Sequence, residues 1–462
     1  MKVKIYTTDI SEKKYFYETT EEISETDKRG GWGCIRIFTE PRYQEITGFG
    51  GAFTDASASL FCKLPQEKQQ MLIKMLFDEN EGIGFSVGRT HIGSCDFTRK
   101  PYSYVSDGDE TLESFSLDED KKAVIPMLKA ALEARPDLRL LASPWSPPAY
   151  MKDNGSLFGG GKLKKEYYGL WTEYVARYIE EMRAEGITIN AVTIQNEAAA
   201  DMTWESCVYT AEEECALIKS GFGKRITELG AQIYVWDHNK ELLFDRASAV
   251  FSDSEASPYV AGAACHWYTG DHFEQIGFTC EAFPGKKIIF SEGCRSSEER
   301  GIKKISGLDF AEDYAHEIIG DLNGGISLYL TWNLMLDMEN GPFHNRFSTR
   351  YCDAPVMIDS ENEEIIPEPS YYYFGHFSKF IKRGARRLGV SRYTDKLEAT
   401  AFINKDNSVA AVILNRTDES RKVKLVYDGC RLDTELAAHS IATVILGANG
   451  IGERSSDYKN EI

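Results

Sequence analysis

The sequence predicts a (β/α)8 TIM barrel of the α/β class, joined to a β-sandwich domain built from both ends of the chain. Two observations support this prediction. Eight short apolar stretches between residues 46 and 333 alternate with helical patterns, which is the element order of a barrel. Both flanks instead contain stretches in which apolar and polar residues alternate, as in antiparallel strands with one buried face.

Each predicted barrel strand is short, rich in apolar residues and bounded by Gly, Pro, Asn or Asp. The eight stretches are residues 46–53, 84–92, 138–145, 190–197, 231–237, 260–268, 286–293 and 325–333. Helices are predicted at residues 66–77, 118–134, 165–185, 211–229 and 310–321, with a last barrel helix at 371–382. The nearly continuous apolarity of the strands is typical of strands buried on both faces.

The flanking stretches set the predicted domain boundaries. Alternating stretches at 397–404, 408–416, 421–429 and 441–447 are separated by turn-forming residues, and "VKIYTTD" and "CIRIFTE" near the N-terminus are expected to join them. We therefore expect residues 1–45 and 384–450 to form the two parts of the sandwich and residues 46–383 to form the barrel. Residues 451–462 are expected to be a frayed polar tail.

Composition and charge limit the possible partners. The chain has 462 residues, 42% of them hydrophobic and 27% charged, with a formal net charge of −19. Nucleic acid and anionic membranes repel such a chain, so neither is expected as a partner. No run of 18 apolar residues predicts membrane insertion, and the N-terminal stretch has no signal-peptide pattern. The oligomeric state stays open.

The cysteines and histidines argue against a disulfide framework and against a metal centre. The ten cysteines show no CxxC pair and no regular spacing, as expected of reduced thiols in a cytoplasmic protein. The chain has 8 histidines, without an HExxH motif or a Cys/His pair at ligand spacing. We expect no metal ion and no other cofactor.

Two glutamates stand at the ends of predicted barrel strands, where TIM-barrel enzymes carry their chemistry. Glu197 ends the fourth strand in "TIQNEAAADMTW", and Glu292 ends the seventh strand in "KKIIFSEG". Their separation of 95 residues corresponds to three βα units of roughly 32 residues each. Strands four and seven face each other across the barrel mouth, so the two carboxylates are expected to converge. Such a pair is what cleavage of a glycosidic bond requires, whereas a helix cap or a surface ion pair is the structural alternative for either glutamate alone.

Beyond this pattern, the chain resembles glycoside hydrolases of family 30, the group that includes glucosylceramidases and β-1,6-glucanases. The resemblance covers about residues 48–390 and rests on eight motifs in the expected order. They are "GFGGAFTDASA", "SCDFTRKPYSY", "ASPWSPPAYMKDNG", "QNE", "HWY", "FSEGC", "TWNL" and "GHFSKFI". The resemblance implies a retaining β-glycosidase acting on a carbohydrate or β-glucoside substrate, and a second domain that is a β-sandwich formed by both termini.

Roles for the central residues follow from the same resemblance. Glu197 matches the general acid/base, and Asn196 matches the amide that binds the sugar 2-hydroxyl. Glu292 matches the nucleophile that forms a covalent glycosyl-enzyme. Arg89 and Tyr268 match groups that hydrogen-bond this nucleophile, and such donors are expected to keep its pKa below that of Glu197.

Four further residues are implied to bind the sugar or shape the site. Asp96 and Trp145 match residues that bind the outer hydroxyls of the terminal sugar, and Trp332 matches the platform on which the ring stacks. His266 lies two residues before Tyr268, on the same side of its strand, and is expected to shape the glutamate network unless it is a core histidine.

Two departures from the family pattern concern the leaving group rather than the chemistry. Ala198 follows Glu197 where the family commonly has proline, and Arg350 occupies a position that is often asparagine in glucosylceramidases. Both changes lie where the aglycone is expected, so soluble β-glucosides or short β-glucans are favoured over ceramide glucosides.

Other functions stay open from the sequence. A β-xylosidase or β-fucosidase would use the same mechanism, and the contacts of Asp96 distinguish it because xylose has no O6. A non-catalytic sugar-binding protein is disfavoured by the intact glutamate pair. A metal-dependent hydrolase is disfavoured because only His91 and His266 stand near predicted strand ends. Linkage preference and exo or endo action are not predicted.

Overall fold

The computed structural model describes residues 2–26, 32–298, 307–344 and 350–447, which form two compact units. One unit spans Thr47–Lys379, and the other combines the residues up to Ile46 with those from Phe380 onward. The boundaries predicted after residues 45 and 383 differ from this division by one and four residues. The predicted tail at 451–462 lies outside the described residues.

The larger unit is a closed barrel of eight parallel strands, which confirms the predicted barrel. In chain order the strands are Gly48–Ala52, Val87–Ile92, Arg139–Pro144, Ile189–Thr193, Gln232–Asn239, Val260–His266, Lys287–Glu292 and Leu328–Asn333. Each strand pairs with the next, and the eighth closes the barrel on the first with Leu328 opposite Gly48. Seven of the eight strands contribute to one apolar cluster inside the barrel, which includes Val87, Tyr234 and Leu330.

Ten α-helices lie in the described part of this unit. They are Asp55–Lys63, Gln66–Phe77, Val124–Ala134, Tyr168–Ala184, Ala211–Leu217, Gly223–Glu228, Leu243–Phe251, Phe273–Ala282, Gly307–Gly324 and Pro369–Ser378. No helix within the described ranges combines the length and apolarity needed to cross a bilayer.

Each predicted helix is present at least in part, whereas three short helices were not predicted. The helix predicted at 66–77 has these bounds, whereas the one predicted at 211–229 is interrupted by a π-helical turn in which Gly221 has φ 125°. Asp55–Lys63, Leu243–Phe251 and Phe273–Ala282 were not predicted. Each has at most ten residues, so few turns were available to reveal the repeat.

The smaller unit is one ten-stranded sheet to which both ends of the chain contribute, as predicted. Its strands are Lys2–Asp9, Lys14–Glu22, Ser24–Glu25, Ile35–Glu45, Arg386–Ser391, Glu398–Ile403, Val409–Asn415, Arg421–Tyr427, Cys430–Leu436 and Ser440–Leu446. The first strand pairs antiparallel with the last, with Ile5 opposite Val444. Strands from distant parts of the sheet, including those that carry Val3 and Leu432, share one core cluster, so the sheet folds back on itself as a sandwich.

Five short strands near the barrel mouth were not predicted. Met335–Asp337, Val356–Asp359 and Glu364–Pro367 form one small sheet, and Ser296–Glu298 pairs with Arg350–Cys352. Strands of three or four residues are too short for alternation to identify. Their pairing fixes parts of the loops that follow barrel strands seven and eight.

A buried lysine supports the barrel wall behind the mouth. Lys240 follows the fifth strand, and its Nζ lies 2.7 Å from Glu317 Oε2 and 3.0 Å from Asp321 Oδ1, both on the helix Gly307–Gly324. All three side chains are at most 1% exposed. Burial raises the pKa of Asp321 to about 7, even though Lys240 opposes the rise.

Replacing this lysine is expected to destabilise the fold strongly. Lys240→Met removes the cation that pairs with both buried carboxylates and leaves Glu317 with a longer pair to Arg295 at 3.7 Å. We expect the free energy of unfolding to fall by about 3–5 kcal/mol. Lys129→Met is the matched control, since Lys129 makes an exposed pair with Glu185 at 2.7 Å and its loss is expected to change stability little. Urea denaturation of both variants measures the difference, and equal midpoints would contradict the assigned role of Lys240.

Candidate active site

A cavity of about 760 Å³ lies at the carboxyl ends of the barrel strands. Seven of the nine site residues predicted from the sequence line it: Asp96, Trp145, Asn196, Glu197, Tyr268, Glu292 and Trp332. The other two, Arg89 and His266, are fully buried beneath this lining and contact Glu292 and Glu197 in it. The structure therefore brings all nine residues together at one place.

The fourth strand carries Asn196 and Glu197 into the cavity through backbone bonds to its neighbours. The Asn196 amide donates to the Pro144 carbonyl at 2.8 Å, and the Glu197 amide donates to the Asp237 carbonyl at 2.8 Å. Glu197 has φ 50°, a left-handed conformation that ends the extended chain. Ala198, where proline was noted as missing, is buried, and its carbonyl accepts a 2.8 Å bond from the Tyr209 amide. Backbone bonds thus fix this turn without proline. The side chain of Arg350, the other departure, lies outside the described residues.

Glu292 is held by two donors at the end of the seventh strand. Arg89 Nη1 donates to Glu292 Oε2, and the Tyr268 hydroxyl donates to Glu292 Oε1 at 2.8 Å. An oxygen of Glu292 also lies within 4.8 Å of an oxygen of Glu197. The predicted convergence of the two carboxylates is therefore present in the structure.

Arg89 organises the floor of the site. Its Nη2 donates to Asn196 Oδ1 at 2.7 Å and to Asp237 Oδ2 at 2.9 Å. The guanidinium carbon lies 4.8 Å from the ring centroid of Trp145 and 5.6 Å from that of Trp332. Because Asn196 Oδ1 is bonded to Arg89, the amide N–H groups are the part of Asn196 that a ligand can use.

Asp237 is a central residue that the sequence analysis did not identify, although it ends the predicted fifth strand. This buried carboxylate accepts from Arg89 and from three hydroxyls, those of Ser143, Thr193 and Ser291. Burial would raise the pKa of Asp237, but Arg89 and His266 outweigh it and hold the pKa well below its usual range. The available sequence signal was the acid at a strand end, the same signal that identified Glu197 and Glu292.

His266 joins Asp237 to the two glutamates. Its Nε2 lies 3.1 Å from Asp237 Oδ1, and its Nδ1 lies 3.5 Å from Glu197 Oε1 and 4.0 Å from Glu292 Oε1. Burial alone would lower the pKa of His266, but the surrounding carboxylates raise it to about 9. At neutral pH the imidazole is therefore protonated and places a positive charge beside Glu197.

The predicted pKa order of the two glutamates was wrong. Burial raises the pKa of Glu292, and Arg89 and His266 offset this rise only in part. Burial acts in the same direction on Glu197, but His266, His238 and Arg89 together outweigh it and lower the pKa of Glu197. The prediction rested on the donors to Glu292, whereas the imidazolium that faces Glu197 has the larger effect on the order.

Aromatic rings and one acid form a further part of the cavity wall, here called the aromatic wall. The rings of Trp145 and Trp332 stack with centroids 5.4 Å apart, and Phe97 meets Trp332 edge-on at 6.0 Å. Burial and the charges of both catalytic candidates raise the pKa of Asp96 well above its usual value. Within the described ranges, no residue donates a hydrogen bond to the Asp96 carboxylate, so its oxygens are available to hydroxyl donors of a ligand.

Glu197, His266 and Glu292 could also be considered as metal ligands, since one ligand atom from each lies within 4.8 Å of the others. Both oxygens of Glu292 already accept hydrogen bonds from Arg89 and Tyr268. The guanidinium and the protonated imidazole repel a cation at this point. The arrangement therefore fits a pair of carboxylates that exchange protons better than it fits a metal centre.

Comparison with known proteins identifies both units. Residues 46–381 match the glycosyl hydrolase family 30 TIM-barrel domain, and residues 384–444 match the glycosyl hydrolase family 30 beta sandwich domain.

Individual relatives give the same result. The chain is 33% identical over 429 residues to putative glucosylceramidase 3 of Caenorhabditis elegans, covering 89% of this chain and 81% of that protein. The crystal structure of SrfJ from Salmonella typhimurium is 33% identical, with a TM-score of 0.92 over 96% of this chain and 99% of that one. The endo-β1,6-glucanase BT3312 is 27% identical, with a TM-score of 0.86 over 96% and 99%. The chain is therefore a glycoside hydrolase and belongs to glycosyl hydrolase family 30.

Proposed function

We propose that this enzyme hydrolyses β-glucosidic bonds with retention of configuration, with Glu292 as nucleophile and Glu197 as acid/base. The observation that carries the proposal is the separation of the two carboxylates, whose oxygens lie within 4.8 Å of each other. Retaining glycosidases hold their carboxylates about 5–5.5 Å apart, whereas inverting enzymes need about 6.5–9.5 Å to admit a water molecule.

Each step of the proposed reaction uses a contact described above. Glu292 attacks the anomeric carbon from the α face while the bond to the leaving oxygen breaks and Glu197 gives that oxygen a proton. Glu197 then removes a proton from water, which attacks the same carbon and releases Glu292. Arg89 and Tyr268 orient Glu292, and the amide of Asn196 donates to the sugar 2-hydroxyl, where the bond strengthens in the transition state.

The ionisation of the pair is consistent with these roles if the two glutamates share one proton. The first step needs that proton on Glu197, yet His266 favours it on Glu292. Two acids this close titrate as a pair, so the productive form is one of two arrangements of a single proton. When a neutral sugar occupies the cavity, the hydrogen bonds from Arg89 and Tyr268 to Glu292 remain and continue to stabilise the Glu292 anion.

The proposed substrate is a terminal β-glucosyl unit on a soluble aglycone or a short β-glucan. The stacked tryptophans suit the apolar face of a pyranose ring. Asp96 supplies carboxyl oxygens to which the outer hydroxyls of the sugar can donate hydrogen bonds. Relatives named as a putative glucosylceramidase and an endo-β1,6-glucanase also support β-linked glucose.

Hydrolysis of matched aryl glycosides tests this substrate. We expect kcat/KM for the aryl β-glucoside to exceed that for the β-xyloside by about tenfold or more, because xylose lacks the O6 group proposed to bind Asp96. Asp96→Asn is expected to reduce this preference, because the amide replaces one of the two carboxyl oxygens with an NH2 group that cannot accept a hydrogen bond from O6. Equal losses of kcat/KM on both substrates in Asp96→Asn would show that Asp96 does not bind O6. A wild-type preference for the β-fucoside or the β-xyloside would show that glucose is not the preferred sugar.

We also propose that the protein works in a reducing compartment such as the cytoplasm. All ten cysteines lie within the described residues, and none of them forms a disulfide bond there. Chains that fold in oxidising compartments commonly use such cysteines as disulfides. Cell fractionation tests the proposal, and recovery of the active protein only outside the cytoplasm would overturn it.

A further inference from the structure

A buried carboxylate outside the cavity lining connects three loops of the barrel mouth. Glu205, on the loop after the fourth strand, is 2% exposed and accepts a hydrogen bond at Oε1 from Ser94, on the loop after the second strand. Its Oε2 lies 3.2 Å from Nε2 of His344, on the loop after the eighth strand. We call Ser94, Glu205 and His344 the Glu205 junction.

Neighbouring contacts fix both ends of the junction. The Glu205 backbone forms a β-bridge with Phe158, and the Lys152 Nζ donates to the next carbonyl, that of Ser206, at 2.7 Å. His344 Nδ1 lies 2.9 Å from the Thr98 carbonyl oxygen. Glu205 and His344 are thus bonded to other fixed segments of the chain. A change at the junction is therefore expected to shift the connected loops relative to one another.

Each connected loop supplies a residue that lines the cavity within two positions of the junction. Asp96 follows Ser94 by two residues, Trp204 precedes Glu205, and Phe343 precedes His344; all three line the cavity. The ring of Phe343 contacts Phe97 with centroids 5.5 Å apart, and Phe97 in turn contacts Trp332. The aromatic wall of the cavity is therefore assembled from separate loops that meet at Glu205.

We propose that Glu205 and His344 are positioning residues that hold this wall together and thereby set the affinity for substrate. This inference rests on the proposed function of the cavity. Neither residue lines the cavity, so both act through the neighbouring residues Asp96, Trp204 and Phe343. Contacts made equally to the ground state and the transition state change KM and leave kcat unchanged, which is the signature expected here.

The charge on His344 makes the positioning depend on pH. Burial would lower the pKa of His344, but Glu205 outweighs it and raises the pKa. The ion pair is therefore complete below that raised pKa and is lost as the pH rises through it. Other charged or titratable groups interacting with Glu205 are Asp96, Cys95 and Lys152, and within the described ranges Glu205 is the charged group that faces His344.

Steady-state kinetics on an aryl β-glucoside, as a function of pH, tests the inference. In acidic buffer we expect KM to rise about tenfold in His344→Gln and Glu205→Gln, the cost of losing one close contact between charged groups, with kcat within twofold of wild type. Wild-type KM is expected to increase with pH toward the variant value, whereas KM in both variants stays flat. A wild-type KM in the variants, or the same pH slope of KM in His344→Gln as in wild type, overturns the inference.

Matched controls separate the junction from general effects of the substitutions. His439→Gln removes a histidine–carboxylate pair with Asp418 in the sandwich unit, and Glu398→Gln removes a pair with Arg416 there; both are expected to keep wild-type KM. If Glu205→Gln fails to fold, Ser94→Ala removes one bond of the junction without removing a buried charge, and KM is again expected to rise.

Hydrogen exchange tests the junction even if no glycoside is cleaved. Glu205→Gln is expected to increase amide exchange in the loops around residues 93–98, 199–206 and 338–344. The control variant Glu398→Gln is expected to show wild-type exchange in these loops. Faster exchange without wild-type hydrolysis would reject the proposed function alone. Unchanged exchange in all three loops would reject the positioning role, whatever the activity.

Discussion

Glu292→Ala is expected to lose about 10⁵-fold in kcat on an aryl β-glucoside, on the order of the cost of removing a covalent nucleophile. The variant keeps Arg89 and Tyr268, but these donors no longer have an anion to orient. Substrate binding by Trp145, Trp332 and Asp96 is expected to persist, so the loss should fall on kcat. Initial rates measured with a large excess of enzyme provide the value.

Azide distinguishes loss of the nucleophile from general damage. The shortened side chain leaves space on the α face of the sugar, and added azide can attack the anomeric carbon there. We therefore expect azide to restore turnover of an activated substrate in Glu292→Ala and to produce an α-glycosyl azide, identified by NMR. Glu398→Ala, in the sandwich unit, is the control and should need no rescue. A β-glycosyl azide from Glu292→Ala would contradict the nucleophile assignment.

Sequence reasoning worked best where one physical rule determines both pattern and structure. Strands buried on both faces must be apolar along most of their length, so the eight barrel strands could be recognised from the sequence. The carboxyl ends of those strands meet at one place, so Glu197 and Glu292 could be paired without coordinates. Helices such as Leu243–Phe251 were missed because nine residues give little periodicity.

The parts of the site that sequence reasoning missed depend on contacts between loops far apart in the chain. Glu205 and His344 are 139 residues apart and carry no local motif, and their meeting depends on how the loops fold. The reversed pKa order of Glu197 and Glu292 has the same origin. It depends on His266 lying 3.5 Å from Glu197, a distance that strand assignment alone does not provide.

Glu197→Ala is expected to lose activity in proportion to how much the leaving group needs a proton. For an alkyl β-glucoside we expect a loss of about 10³-fold, within the usual range for general acid–base catalysis. For a dinitrophenyl β-glucoside, whose leaving group departs as a stable anion, formation of the glycosyl-enzyme should be nearly unaffected. Comparison of kcat/KM for the two substrates in wild type and variant measures the difference.

The anomeric configuration of the glycosyl azide and the pH dependence of activity distinguish the roles of the two glutamates. In Glu197→Ala the covalent intermediate still forms on Glu292, and azide attacks it from the β face, so a β-glycosyl azide is expected. Wild-type activity should fall on the alkaline side as the pair loses its shared proton, and this limb should disappear from the variant's dinitrophenyl glucoside profile. Equal losses on both leaving groups would show that Glu197 is not the acid. His266 contributes to the lowered pKa of Glu197. Removal of that imidazolium in His266→Asn should therefore shift the alkaline limb of the activity profile to higher pH. Such a shift would tie the identity of the acid to a neighbour that only the folded structure reveals.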